Sequence, residues 1–233
     1  MFDTRADALE FLDGDDLDET LALQSYRFMA VVNKYFGGTA VVQDFITNEA
    51  RCKGSDEPLR ILDIGSGICD IPISLCTWAK AAGLSLEYTC VEPSSYAAQA
   101  ARRAIVNYPN IRLVQEDIFA YRPATRYDCA VGSLFFHHLS DERITELVAR
   151  LRMFGCKSIL LNDLHRSWGC YMGGAFASAF SPAGVRHDAL LSIRKGFKAD
   201  ELRRLLEKIP DAAVVVRTAW FGRIWAAVRF ERE

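Results

Sequence analysis

The chain has 233 residues, of which half are hydrophobic, a quarter charged and only seven proline. That composition suits a single globular domain and excludes a disordered, fibrous or coiled-coil chain. Twenty-eight basic against thirty acidic residues give a formal net charge of −2, so no overall field favours a polyanion and no nucleic-acid partner is expected. Residues 1–20 hold eight acids and one base, Arg5, the reverse of a basic secretory or transit signal, and a cytoplasmic location is expected.

From Leu17, the apolar positions Leu21, Phe28, Val31, Val32 and Tyr35 recur at near-helical spacing up to Gly37-Gly38, and a second short helix is predicted over about 39–50. Residues 1–55 thus read as a helical N-terminal cover. A polar connection, Arg51 to Pro58, leads to the aliphatic run Leu59–Ile64, a buried parallel strand ending in Gly65-Ser66-Gly67. There follow a helix over Asp70–Ala82, a strand over Leu86–Val91, a helix over Tyr96–Asn107, and strands over Ile111–Gln115 and Tyr127–Val131. Ser140 with Asp141-Glu142 opens a further helix, and Ser158–Leu164 is the fifth strand.

Ser167 to Val185 is 19 residues without a charge, with four glycines, Pro182 and no Leu or Ile. A span facing lipid would be richer in Leu and Ile, so Ser167 to Val185 reads as flexible, small-residue backbone covering something apolar, within a substrate lid over residues 165–197, with no membrane span. A helix over about Asp200–Ile209 and a hairpin of Ala212–Trp220 with Arg223–Phe230, turning near Gly222, complete the segment 198–233. The order of elements implies one α/β domain: a doubly wound, Rossmann-like, mostly parallel sheet with a C-terminal antiparallel hairpin. Ligands of such sheets lie beyond the carboxyl ends of the strands, where strand order reverses. Seven scattered cysteines without a C-x-x-C pair suggest small buried hydrophobes rather than disulfides or zinc. Nothing in the sequence sets an oligomeric state.

The strongest local signal is Ile61-Leu62-Asp63-Ile64-Gly65-Ser66-Gly67-Ile68-Cys69-Asp70, a strand entering a glycine turn and then a helix, where backbone can approach a ligand closely. A dinucleotide fingerprint would need glycine at Asp70, and no G-K-[ST] occurs. Glu92, closing the second strand, could accept hydrogen bonds from ribose hydroxyls, and Asp117, after the third, could meet an adenine amine. Together they are ordered as a nucleoside site.

From ILDIGSG through VEPS (91–94) and QEDIF (115–119) to SLFFHHL (133–139), the chain resembles the class I S-adenosylmethionine-dependent methyltransferases over roughly residues 59–164. The flanking SYRFMAVVNKYFGG and the segment from NDLHRS to VRHDALLSIRKGF resemble a small-molecule subgroup with a helical N-terminal cover. The resemblance implies S-adenosylmethionine as cofactor, with Asp63, Gly65 and Gly67 around its methionine part, Glu92 on the ribose, Asp117 and Ile118 at the adenine, and Ser133 at the sulfonium end. The family commonly has a third glycine where Cys69 stands. Gly132-Ser133-Leu134-Phe135 is not the Asn/Asp-Pro-Pro-aromatic motif that grips planar amino groups, and there is neither a Pro-Cys dipeptide nor a close glutamate pair. A small-molecule acceptor remains.

Methyl transfer from a sulfonium is an in-line displacement that mainly asks for alignment. Where the acceptor must lose a proton, a histidine base would serve. His138, His165 and His187 are the candidates, with His137 ranked below them beside its neighbour. Arg166 and Arg186 could orient an acidic acceptor, and Tyr26, Asn33 and Trp168 could line an apolar pocket for an aromatic, polyketide-like or quinone-like molecule. A metal-assisted route would need acids after both the fourth and fifth strands. Asp163 qualifies but Gly132-Ser133 does not, so O- or C-methylation without a metal is expected. The alternatives are a protein that binds the same cofactor as a sensor or assembly partner, and a nicotinamide oxidoreductase.

Overall fold

A computed structural model describes residues 2–14, 18–55 and 57–230. Two helices come first, α1 (Glu19–Tyr35) and α2 (Gly38–Lys53). Then follow β1 (Leu59–Ile64), α3 (Asp70–Ala81), β2 (Leu86–Val91), α4 (Ser95–Ala104), β3 (Ile111–Val114), β4 (Cys129–Ser133), α5 (Asp141–Met153) and β5 (Ser158–Leu164). The chain ends with α6 (Trp168–Ala177), α7 (Ala183–Lys195), α8 (Ala199–Leu206), β6 (Ala212–Ala219) and β7 (Arg223–Phe230). The seven strands form one sheet in the order β3-β2-β1-β4-β5-β7-β6, parallel except where β7 meets β5 and β6. Strand order reverses between β1 and β4, so the crevice beyond their carboxyl ends is the place for a ligand.

Local chemistry sets the helix starts. The side chains of Asp18, Ser94, Ser140 and Ser167 accept the N–H of Leu21, Ala97, Arg143 and Cys170, each three residues on, and so satisfy donors that a helix leaves free. The expected start of α1 at Leu17 lies outside the described residues. The central strands β1, β4 and β5 are buried on both faces almost throughout, as strands inside a parallel sheet covered by helices must be. In β1, Leu62 and Ile64 face a core with Ile144, Leu147 and Leu151 of α5 and Leu206 of α8. Ile61 faces the opposite core with Val42 and Ile46 of α2 and Leu75 of α3. Six of the seven cysteines are buried and Cys52 is exposed.

The lid expectation changes most. Residues 165–197 are not flexible backbone but two helices, α6 and α7, joined by Ser178–Pro182. Periodicity hid α6 because its large apolar residues point outward. Trp168, Met172 and Phe176 are all exposed, while its glycines allow close approach of α7: a Cβ on Gly174 would collide with Ile193. Among the described residues no helix is long and apolar enough to cross a membrane. Boundaries elsewhere shift by a few residues, with β4 at Cys129–Ser133 rather than Tyr127–Val131.

At the end of β4, Gly132 leaves room for the fully buried Phe136 ring, which an added Cβ would approach to 2.6 Å. That contact seats the short helical turn Phe136–His138. A Gly132→Ala substitution should therefore overpack this corner and lower stability by about 1–3 kcal/mol in urea unfolding.

Candidate functional site

The crevice holds a cavity of about 650 Å³ built from the turn after β1, the end of β2 and the segment after β4. Gly65 and Gly67 adopt φ of +62° and +53°, the left-handed region open to glycine. A Cβ on Gly65 would stand 2.5 Å from Phe135. Cys69, where relatives commonly have glycine, is itself left-handed at φ +61°, so the chain keeps the glycine-like conformation with a buried side chain at the start of α3.

Around this turn stand three acids, Asp63, Asp70 and Glu92. Glu92 Oε2 accepts the Gly67 N–H at 2.8 Å and its Oε1 the Ser94 N–H at 2.9 Å. The carboxylate thereby clamps the glycine turn to β2 while lining the cavity. Burial raises its pKa against those hydrogen bonds. Asp63 is pushed well up by burial, with Asp70 and Glu92 adding to the shift. Burial also raises Asp70, which the Asn33 amide partly offsets at 3.1 Å. The other end of Asn33 accepts from Arg223 Nη2 at 3.0 Å. Arg223 is itself fully buried and pushed down to about 10 by that burial. Asp117 and Ser133 also line the cavity; Asp117 accepts the Phe119 N–H at 2.6 Å and Ser133 Oγ accepts from Asn162 at 3.0 Å. Ile118 lies behind them in the core rather than on the wall. Tyr26 and Asn33, expected against an acceptor, line this first cavity instead.

A second cavity, about 500 Å³, lies between α1, α6, α7 and the β6–β7 turn. Phe28 and Val32 of α1, Phe36 just beyond it, Ala177 of α6 and Val185 and Ile193 of α7 give it apolar walls. Leu12, Met29, Leu134 and His138 line both cavities, so the two abut through a shared wall. Residues 2–14 strap across this junction. The N–H groups of Phe11 and Leu12 donate to Asp188 at 2.9 and 3.0 Å, and Arg5 donates to the carbonyls of Lys195, His137 and Leu139, each at 2.9 Å.

The histidine and arginine expectations separate here. His138 lines both cavities and pairs with Asp13 at 3.1 Å; burial alone would lower its pKa, but Asp13 and Glu10 raise it. His165 lines the second cavity, half-buried, with its pKa lowered by burial and by Arg166. His187 is exposed, stacks on Phe11 and lines neither cavity. Arg166 does not reach an acceptor, because its buried guanidinium donates to the carbonyls of Phe2 and Gly196 and to Glu201. Trp168 faces outward and packs edge-on against Phe2, and Arg186 is exposed on the outer face of α7.

Sequence reasoning missed Glu10 and Arg223 and set His137 below the other histidines. His137, at 3% exposure, binds Asp163 by its Nδ1 at 2.7 Å, and its Nε2 lies 3.7 Å from Glu10 of the strap. Arg223 enters from the last strand. A signal existed for the first pair: a histidine just after β4 and an acid near the end of the adjacent β5 must share one sheet edge. Glu10 carried none, since its acidic stretch is 127 positions from His137 in sequence.

Residues 61–154 match the family described as Methyltransferase domain. No curated protein matches the sequence. Among solved structures, the plantazolicin methyltransferase BpumL in complex with a triazolic desmethylPZN analog and SAH aligns over 92% of this chain and 99% of its own, at TM-score 0.69 and 16% identity. The magnesium protoporphyrin IX methyltransferase ChlM from Synechocystis PCC 6803, with bound SAH, aligns over 97% and 90%, at TM-score 0.57 and 12% identity. The CMeT domain of citrinin polyketide synthase aligns over 75% of this chain and 47% of its own, at TM-score 0.56 and 16% identity. Residues 61–154 thus match a methyltransferase domain, the fold is that of methyltransferases solved with SAH, and S-adenosylmethionine is the cofactor against which the site is read.

The first cavity suits that cofactor by its own chemistry. Its glycine turn brings bare backbone to the ligand, and three acids face a molecule that carries a sulfonium and an ammonium. Because all three acids sit above the usual carboxylate range, the fold binds their protons more tightly than the unfolded chain does. The free protein therefore loses stability as pH rises from the ordinary carboxylate range through the raised values. A cationic ligand gains affinity over the same interval. In thermal unfolding, the stabilisation given by saturating S-adenosylmethionine should grow as pH rises from the ordinary carboxylate values through the raised ones.

Proposed function

We propose that this enzyme methylates a small, largely apolar acceptor of aromatic, polyketide-like or quinone-like character, at oxygen or carbon, by in-line displacement without a metal. The observation that carries this reading is the apolar second cavity abutting the acid-lined first one through Leu12, Met29, Leu134 and His138. Such a chamber is what a transferase needs and what a cofactor-binding sensor, closed by packed side chains, would lack.

In this reading Asp63, Gly65 and Gly67 hold the methionine part of the cofactor, Glu92 the ribose, and Asp117 the adenine, with Ile118 supporting its turn from the core. Ser133 and Leu134 stand at the methyl-bearing end. The cofactor, when bound, supplies an activated methyl group. The chain's own part is to orient the acceptor, exclude water and accept a proton where the nucleophile carries one. Apolar side chains from α1, α6 and α7 do the first two by walling the chamber. The cation of the polar corner is Lys195, whose Nζ lies 3.3–3.4 Å from Glu10, Asp13 and the His138 ring, which is why a metal-independent route is proposed.

Titration calorimetry with S-adenosylmethionine, its demethylated product and NAD tests the cofactor half. Micromolar binding of the first two is expected, weakened ~10-fold or more in Asp63→Ala and Glu92→Ala, as for loss of hydrogen bonds to a charged group. Equal binding to all three proteins would refute the placement. A screen of phenols and quinols, with product mass as the readout, tests the acceptor class.

A further inference from the structure

His137 was the least favoured of the four histidines in sequence, yet it has the most constrained surroundings of them. Burial would raise the Asp163 pKa, but His137 and the Leu164 N–H hold it below its ordinary value. With Nδ1 2.7 Å from that carboxylate, the imidazole proton belongs on Nδ1 and the lone pair on Nε2. Asp163 Oδ2 also accepts the His137 backbone N–H at 3.1 Å, so residue and ring are fixed by one side chain. On the far side, His137 Nε2 and Glu10 Oε1 are 3.7 Å apart and both buried. Both residues line the acceptor cavity. Glu10 Oε1 has the Lys195 ammonium at 3.3 Å, whereas His137 Nε2 has no donor among the described residues; a buried acceptor of that kind calls for one, and the cavity beside it is where an acceptor molecule would bring it.

Resting on the methyl-transfer reading above, the geometry points to His137 as the general base, with Asp163 as its positioning residue, and to an acceptor whose nucleophile carries a proton, as a phenolic hydroxyl does. The acceptor's O–H proton passes to His137 Nε2, and the electron pair left on oxygen forms the new O–CH₃ bond. The methyl–sulfur bond breaks with its pair returning to sulfur, so the demethylated thioether leaves neutral. The imidazolium formed lies between the Asp163 and Glu10 carboxylates.

Other charged groups face this ring. Glu10 and Asp13 come from the strap, Lys195 from α7, with Nζ 3.3 Å from Glu10, and His138 stacks at 4.2 Å between ring centroids. Arg5 binds the His137 carbonyl, and Arg223 is the buried cation acting on Asp163. Their combined charge requires that the base be identified by substitution rather than by a pH profile alone.

The test uses the full chain saturated with the demethylated cofactor and 4-nitrophenol, a phenol whose ionised form absorbs visibly. Wild type should bind it as phenolate, with the apparent ionisation moved down by about one pH unit or more. His137→Gln should keep its affinity for the demethylated cofactor and lose that shift. Asp163→Asn should lose it too, and nitrogen NMR of labelled histidine should show the Nδ1–H form of His137 in wild type and its loss in Asp163→Asn. The exposed His187→Gln should behave as wild type. Nitrophenol that stays neutral or does not bind, a shift that survives His137→Gln, or a shift lost in His138→Gln but kept in His137→Gln would overturn the assignment. Failure of wild type to bind the demethylated cofactor would instead sink the methyl-transfer reading beneath it.

Discussion

Three buried carboxyl groups share one cavity, and that crowding organises the molecule. Asp63, Asp70 and Glu92 come from the end of β1, the start of α3 and the end of β2, each pushed up by burial. Like charges this poorly solvated are tolerated when something offsets them. The offsets are built at a distance: backbone N–H groups of Gly67 and Ser94 on Glu92, and the Asn33 amide bridging Asp70 to Arg223. Arg223 stands on the last strand and Asn33 on the first helix. Both ends of the chain are therefore committed to the electrostatics of a turn near residue 65.

The second cavity depends on a different set of forces. It is enclosed by α1, α6 and α7 and sealed by the strap of residues 2–14, whose attachments are mostly backbone groups captured by side chains. Asp188 takes two strap N–H groups and Arg166 takes the Phe2 carbonyl. These are charge-assisted hydrogen bonds, among the stronger kinds available. The acidic residues of the strap then meet Lys195 and His138, so part of the local charge excess at the start of the chain is neutralised by pairing rather than by solvent.

What was legible in the sequence follows from how far each signal travels. Strands β1, β2 and β5 could be bounded to the residue because buried parallel strands read as continuous aliphatic runs. The turn from Asp63 to Asp70, with Glu92 and Asp117 beyond it, was readable because those positions are fixed by local geometry at strand ends. Helix α6 was not, since its outer face carries Trp168, Met172 and Phe176 while glycines and small residues face inward, inverting the usual amphipathic pattern. Arg166 and Trp168 were read as ligand contacts because a loop after a strand favours that; their partners, Phe2 and Glu201, come from distant parts of the chain. The pairing of His137 with Asp163 needed the adjacency of β4 and β5, and Glu10 needed the path of the strap.

The inverted pattern of α6 separates two properties that many enzymes entangle. Gly173 lines the second cavity with no atom within 4 Å of where its Cβ would stand, while Gly174 fixes how close α7 can come. The capacity of the chamber is thus written in single small residues of one surface helix, remote from the acids that face the cofactor. The size of the chamber can drift by changes there while the acid-lined cavity stays fixed, so the two halves of this scaffold are free to diverge separately.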